Sequence, residues 1–298
     1  MYKWNMQELP SQHGKVAIVT GANSGIGYET TLALVEKEVE VVMACRNIEK
    51  AEKVKNKILQ LYPGAKIKPM LLDLSSLSEV RKFAGEFLAG YDNLDLLINN
   101  AGIMMSPYKI TQDGFEKQLA TNYLGHFALT GLLLPRLAAT AGSRIVTLTS
   151  ISYKWAEIQF DDLHARKGYS RRTAYGQSKR ACLMFAFELQ RRLSAAKYNS
   201  ISVAAHPGLC KTNLDQYFPA LIRPLGSLFL QPAQKGALSI LCAALSEDVN
   251  GGDFIGPDGF KQIRGYPTKV DADEYSNNKE IARHLWVASE EMTNVFYL

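Results

Sequence analysis

In the stretch RRTAYGQSKRACLMFAFEL a tyrosine and a lysine, Tyr175 and Lys179, stand four positions apart at the start of an apolar helical run. Residues at i and i+4 share one helix face, so the phenol and the ammonium can meet in one site. A phenol at its reference pKa of about 10 is a poor acid or base at neutral pH. An ammonium about 5 Å away, at an effective dielectric of about 20, contributes roughly 3 kcal/mol, or about 2 pKa units. The spacing therefore predicts a tyrosine brought into range for proton transfer. Such a pair is common and by itself usually just packs and solvates, so its meaning depends on the residues around it.

A second group of residues points to an anionic ligand. TGANSGIG, Thr20 to Gly27, follows the apolar run KVAIVT and precedes YETTLALVEK, which reads as a strand, a turn and a helix. Glycine takes positive φ and lets a ligand come close, so Gly21, Gly25 and Gly27, with Asn23, Ser24 and Ile26 between them, predict a turn whose free amides cradle a pyrophosphate. The plain alternative is a tight connection. After the next apolar run comes CRN, with Arg46 nineteen positions past Gly27, where an unphosphorylated dinucleotide would be met by an acid. A guanidinium there suits the extra ribose phosphate of NADP(H), with Asn23, Ser24 and Asn47 as helpers; otherwise Arg46 is a solvated surface cation. In LLDLSS, Asp73, next to Leu74, either accepts from the adenine amino group or caps the following helix. NNAG ends a further strand, and its Asn100, Ala101 and Gly102 can fix neighbouring backbone while leaving room for a ribose.

The elements that must position these residues follow from the alternation of apolar runs with helical stretches. KVAIVT, VEVVMAC, AKIKPMLL, LDLLIN, SRIVTLTS, SISVAAH and GDFIGP read as strands apolar enough to be buried on both faces. Right-handed crossovers then give an α/β protein with a doubly wound parallel sheet, whose ligand crevice lies at the carboxyl ends of the strands. No repeat or flexible linker divides the 298 residues, which read as one domain over 1–298.

With 47% hydrophobic and 21% charged residues the chain has the balance of a soluble globular protein, and its charge of +5 is scattered, so nucleic acid is not an expected partner. Cys45, Cys182, Cys210 and Cys242 lie far apart, which predicts neither a metal site nor a disulfide framework and fits a reducing cytoplasm. MYKWNMQELP lacks an apolar signal core, and no apolar run reaches the roughly 20 residues of a membrane span.

Taken together, TGxxxGxG at 20–27, NNAG at 99–102, Asn122 in LATNYLGHFALT, Ser150 ending RIVTLTS, YxxxK at 175–179 and HPG at 206–208 resemble the short-chain dehydrogenase/reductase family over nearly the whole chain. The resemblance implies a three-layer α/β/α Rossmann fold, a nicotinamide cofactor, and a tetrad of Asn122, Ser150, Tyr175 and Lys179. In that scheme Ser150 holds the substrate oxygen, Tyr175 transfers its proton, and Lys179 lowers the phenol's pKa and bonds the nicotinamide ribose. Asn122 props a water that relays protons to Lys179. Pro207, Gly208 and Thr212 would border the nicotinamide, Thr212 through the carboxamide or else as a helix cap. GANSGIGYET, ACRN, AYGQSK and AAHPG look like the branch containing retinol dehydrogenases and many bacterial oxidoreductases. Thr149 and Ser152 flank Ser150 and offer rival hydroxyls, and Cys210 stands in the segment that should wrap the nicotinamide.

NLDQYFPALIRPLGSLFLQP follows, and Leu214, Tyr217, Phe218, Leu221 and Ile222 predict an apolar lid over about 211–231, against a core helix pair or a patch touching membrane or a partner as alternatives. Met104, Met105, Tyr153 and Trp155 read equally as pocket or core, and ACLMFAFEL is apolar enough to suggest a homo-oligomer interface. The expected activity is NADP(H)-dependent interconversion of a carbonyl and an alcohol on an apolar small molecule. The rivals are a non-catalytic NADPH-sensing protein, which has no need of the tetrad, and an enone reductase on the same scaffold.

Overall fold

The computed structural model describes residues 4–210 and 230–298. Thr212 and the lid residues Leu214, Tyr217, Phe218, Leu221 and Ile222 lie outside the described residues.

Each predicted strand is present: β1 Val16–Thr20, β2 Glu40–Cys45, β3 Ile67–Leu71, β4 Leu96–Asn99, β5 Arg144–Leu148, β6 Ile201–Ala205 and β7 Phe254–Pro257. An eighth, β8 Pro267–Lys269, pairs antiparallel with β7 and was not foreseen, because three residues beginning with proline carry no pattern. The sheet runs β3-β2-β1-β4-β5-β6-β7-β8, with all pairs up to β7 parallel. The order reverses between β1 and β4, and a crevice opens at the carboxyl ends of strands that diverge in this way.

Side chains of one strand alternate between two cores. Val16 and Ile18 enter one apolar cluster, Ala17 and Val19 the other. Helices α3 (Leu77–Gly90), α4 (Gly125–Ala139) and α5 (Arg171–Ala195), with α7 (Lys279–Thr293) behind them, supply the first cluster. Helices α1 (Gly25–Glu36), α2 (Ile48–Leu61) and α6 (Ala233–Leu245) supply the second. The result is the three-layer doubly wound architecture. The apolar breadth of α5 is taken up within the chain: Phe185 stacks on Trp286 of α7 at 5.9 Å, and Leu183 and Phe187 join a third cluster with Tyr153 and Phe254. None of the described helices is long and apolar enough to cross a membrane.

Candidate active site

The crevice is a cavity of about 580 Å³, bounded by the strand ends and helix starts where polar residues were expected. At its β1 end the chain turns through Gly21 (φ +67°) and Gly25 (φ +54°), the left-handed region that glycine tolerates at little cost. Gly27 serves a different purpose. A Cβ there would lie 2.3 Å from the Gly21 carbonyl oxygen and 2.6 Å from Asn100 Nδ2, so helix α1 starts in direct contact with the turn itself.

Helices α2, α3, α5 and α7 are capped by the side chains of Asn47, Ser76, Ser170 and Asn278. Ser24 occupies the same position on α1 but makes no cap bond, so the first amides of α1 lack a side-chain acceptor where they border the cavity. A dinucleotide fits these residues: the glycine turn and the uncapped start of α1 would face its diphosphate.

Asn23, Ser24, Ile26, Arg46, Asn47, Asp73, Leu74, Asn100, Ala101, Gly102, Pro207 and Gly208 all line this cavity. Two expected roles change. Asp73 does not cap the next helix: Ser76 does, while Asp73 accepts from the amide of Ser75 at 2.9 Å and from its hydroxyl at 2.6 Å. Asn47 commits its oxygen to the Lys50 amide at 2.7 Å, which leaves only its NH₂ group as a helper. That cap brings Lys50 into the first turn of α2 and into the cavity wall beside Arg46. The four-residue offset from Arg46 was the only sign of this second cation in the sequence.

At the other end, helix α5 and strand β5 are tied in both directions through one residue. Lys179 Nζ donates to the Leu148 carbonyl at 3.1 Å, and Thr149 Oγ1 donates to the Lys179 carbonyl at 2.7 Å. Thr149 is thereby removed from contention as the substrate hydroxyl. These ties set Ser150, the next residue, in the same cavity wall as Tyr175, where its hydroxyl favours the ionised phenol. Ser150 Oγ also accepts from the Ser152 amide at 3.2 Å and starts the 3-10 turn Ile151–Trp155. Ser150, Ser152, Tyr175 and Lys179 share the cavity wall.

The electrostatics depart from expectation. Burial pushes the Tyr175 phenol up to about 12, with Ser150 working in the opposite direction, and burial pushes the Lys179 ammonium down. Lys179 does not lower the phenol here: both groups are only 6% exposed, burial dominates, and the ammonium is turned to the Leu148 carbonyl.

Asn122 stands one layer behind the wall, 1% exposed, in the π-helical turn Ala120–Leu124. Its side chain is spent on protein: Oδ1 accepts from the Ile103 amide at 2.8 Å, and Nδ2 donates to the Ile103 carbonyl and to Ser178 Oγ. Gly102 separates it from Lys179, since a Cβ there would lie 3.2 Å from Asn122 Oδ1 and 3.4 Å from Lys179 Nζ. The side chain of Asn122 thus clamps residue 103.

His126 joins the two ends. The Asn122 carbonyl can only accept, so His126 Nδ1 carries the proton across their 2.9 Å contact, and Nε2 accepts from Thr20 Oγ1 at 2.9 Å. Thr20 Oγ1 in turn accepts from the amides of Asn100 and Ala101. Burial lowers the His126 pKa to about 4, which keeps this connection neutral.

Cys210 closes the remaining side. It forms a parallel bridge with Gln231, whose Nε2 donates to the Pro207 carbonyl at 2.6 Å. Of the aromatic and methionine residues left open by sequence, Met104 and Trp155 line the cavity and Tyr153 is core, 1% exposed.

Comparison with known proteins agrees with this architecture. The short chain dehydrogenase family model matches residues 15–220. Retinol dehydrogenase 14 of Mus musculus is 38% identical over 301 residues, covering 95% of this chain and 87% of its own. A crystal structure of an uncharacterized protein from Mycobacterium Paratuberculosis is similar with a TM-score of 0.84, at 38% identity and full coverage of both chains. The Pseudomonas aeruginosa RhlG/NADP active-site complex shares the fold, with a TM-score of 0.68 at 22% identity, covering 85% of this chain and 98% of that one.

Proposed function

The chain belongs to the short chain dehydrogenase family, a family of NAD(P)-using oxidoreductases, and from that premise we propose that it interconverts a carbonyl and an alcohol on an apolar small molecule with NADP(H). The observation that carries this reading is the placement of Ser150, Tyr175 and Lys179 together in the wall of one cavity whose lining also includes Arg46 and Lys50.

The cofactor would be held by the uncapped amides of α1 at its diphosphate, by Arg46 and Lys50 at the ribose phosphate, and by Lys179 at the nicotinamide ribose. When bound, the nicotinamide supplies or accepts the hydride. Ser150 Oγ orients the substrate oxygen, and Tyr175 Oη gives that oxygen a proton during reduction or takes one from it during oxidation. A phenol pushed up to about 12 is protonated at neutral pH and so stands ready as the donor for reduction. Asn122 acts on the site through Ile103 and Ser178. Ile103, Met104, Trp155, Leu209 and Leu230 give the substrate end an apolar lining. The name of the mouse relative, a retinol dehydrogenase, supports an apolar alcohol as the substrate type.

The test is consumption of NADPH by the purified protein across a panel of aldehydes and ketones, with NADH in parallel. Reduction of apolar carbonyls with NADPH preferred is expected. Absence of turnover with every carbonyl, and of NADP⁺ reduction with the matching alcohols, would overturn the proposal.

A further inference from the structure

We infer that Trp155 is a specificity-determining residue: a fixed aromatic shelf that ranks substrates by the flat apolar surface they lay against it. The inference rests on the carbonyl–alcohol reading above and names its substrate class, molecules whose reacting carbon adjoins a planar conjugated system.

The placement of Trp155 sets it apart from its neighbours. It is the last residue of the turn that begins directly after Ser150, and it lines the same cavity as Ser150 and Tyr175. Its ring lies 6.2 Å from that of Tyr175, inclined by 59°. Tyr153, two residues earlier, is buried against Phe254, whereas Trp155 remains 37% exposed. Trp155 therefore keeps part of its ring open to the cavity beside the proton donor, where a bound substrate would lie against it.

Three contacts hold the shelf still. A Cβ on Gly176, the residue after Tyr175, would lie 2.9 Å from Trp155 Cβ and 3.1 Å from the Ser152 carbonyl oxygen, so the turn rests directly on helix α5. Arg180, the residue after Lys179 and only 4% exposed, donates from Nε to the carbonyls of Tyr153 at 3.1 Å and Ala156 at 2.6 Å, which flank the tryptophan. Its terminal nitrogens make a bidentate pair with Asp273 at 2.8 and 3.0 Å, and its guanidinium lies over the rings of Tyr153 and Tyr275. Finally, the Arg172 guanidinium sits 4.7 Å from the centre of the indole ring and occupies one of its faces. Ordering is thus complete before substrate arrives, so contact with the indole is not offset by loss of side-chain freedom. A planar π-system gains more from such a ring than a saturated group of equal carbon count, because offset stacking adds to area burial.

The test uses the whole chain with NADPH and three aldehydes: 2-naphthaldehyde, its saturated decahydro counterpart, and propanal. Each kcat/KM is compared between variant and wild type, which cancels intrinsic reactivity. Trp155→Ala is expected to lower kcat/KM for 2-naphthaldehyde about tenfold or more, the saturated aldehyde less, and propanal by no more than about twofold, with NADPH affinity unchanged. Trp155→Phe should keep the planar preference. Asp273→Asn, which weakens the Arg180 clamp, should narrow the planar-to-saturated ratio part of the way. An equal loss on all three aldehydes, or no loss on any, overturns the inference. Calorimetric titration of 2-naphthaldehyde into the NADPH complex separates the two readings. Binding that depends on Trp155 without turnover refutes the proposed reaction and keeps the shelf, while binding indifferent to Trp155→Ala refutes the shelf alone.

Discussion

At one end of the cavity the charged groups stand in solvent: Arg46, Asn47 and Lys50 are all exposed, and the side-chain contacts around them are a helix cap and one long bond from Asn23 to the Asn47 carbonyl. At the other end Tyr175 and Lys179 are each 6% exposed, and Lys179 ties their helix to the end of β5 by bonds of 3.1 and 2.7 Å. The same fold thus builds an adjustable end that identifies a ligand by charge and a rigid end that sets proton affinities by burial. Charge recognition in water is weak, screened by salt and easily altered. Proton transfer at a buried phenol tolerates little change.

The largest expected effect strikes the rigid end. Tyr175→Phe should lower kcat by about 10³-fold while leaving NADPH affinity within about twofold, because only the proton donor is lost. Near-normal turnover of this variant on a verified substrate would remove Tyr175 from the proposed mechanism. Next in size is the response to pH. A raised pKa means the phenol keeps its proton through the neutral range, so carbonyl reduction should be flat from about pH 6 to about pH 9. Alcohol oxidation needs the phenolate and should rise up to about tenfold per pH unit over the same interval. Identical profiles in the two directions would contradict the burial argument.

The smaller effects belong to the adjustable end. Arg46→Asp should shift the NADPH-to-NADH preference by about ten- to a hundredfold toward NADH, the range expected for losing one charge-assisted contact. Lys50→Ala should shift it only a few fold, and both effects should shrink at high salt. Calorimetry that finds NADH and NADPH bound equally by the wild type would make Arg46 a surface cation and nothing more.

The sequence made the seven parallel strands legible because their apolar runs are long and bounded by glycine or polar residues. It also revealed the glycine turn and the Tyr175–Lys179 pair, whose meaning depends on short-range spacing. What it hid depends on partners far away in the chain. Asp73 and Ser76 are both competent caps, and only the geometry of the turn decides between them. Asn122 looks available until Ile103, brought alongside it, takes both of its side-chain polar groups. The phenol's raised proton affinity is not legible in the sequence, because pairwise attraction can be counted from spacing whereas burial cannot. Trp155 and Tyr153 differ by two positions and face opposite fates, which a turn of 3-10 helix determines and composition does not.

The packing of Tyr297 has a consequence for the order of events in folding. Its hydroxyl donates to the Phe127 carbonyl across 170 positions of chain, and a Cβ on Gly131 would fall 2.5 Å from its ring, so helix α4 has no completed outer surface until this contact closes. Trp286 meets the same Phe127 ring at 5.0 Å. Contacts of such long sequence separation are late and slow to form. The layer containing Phe127 should therefore mature after the layer formed by β1, α1 and β2, and pulse-labelled hydrogen exchange that finds α4 protected first would contradict this. Until closure, the aromatic cluster beneath α4 and α5 would leave apolar surface uncovered.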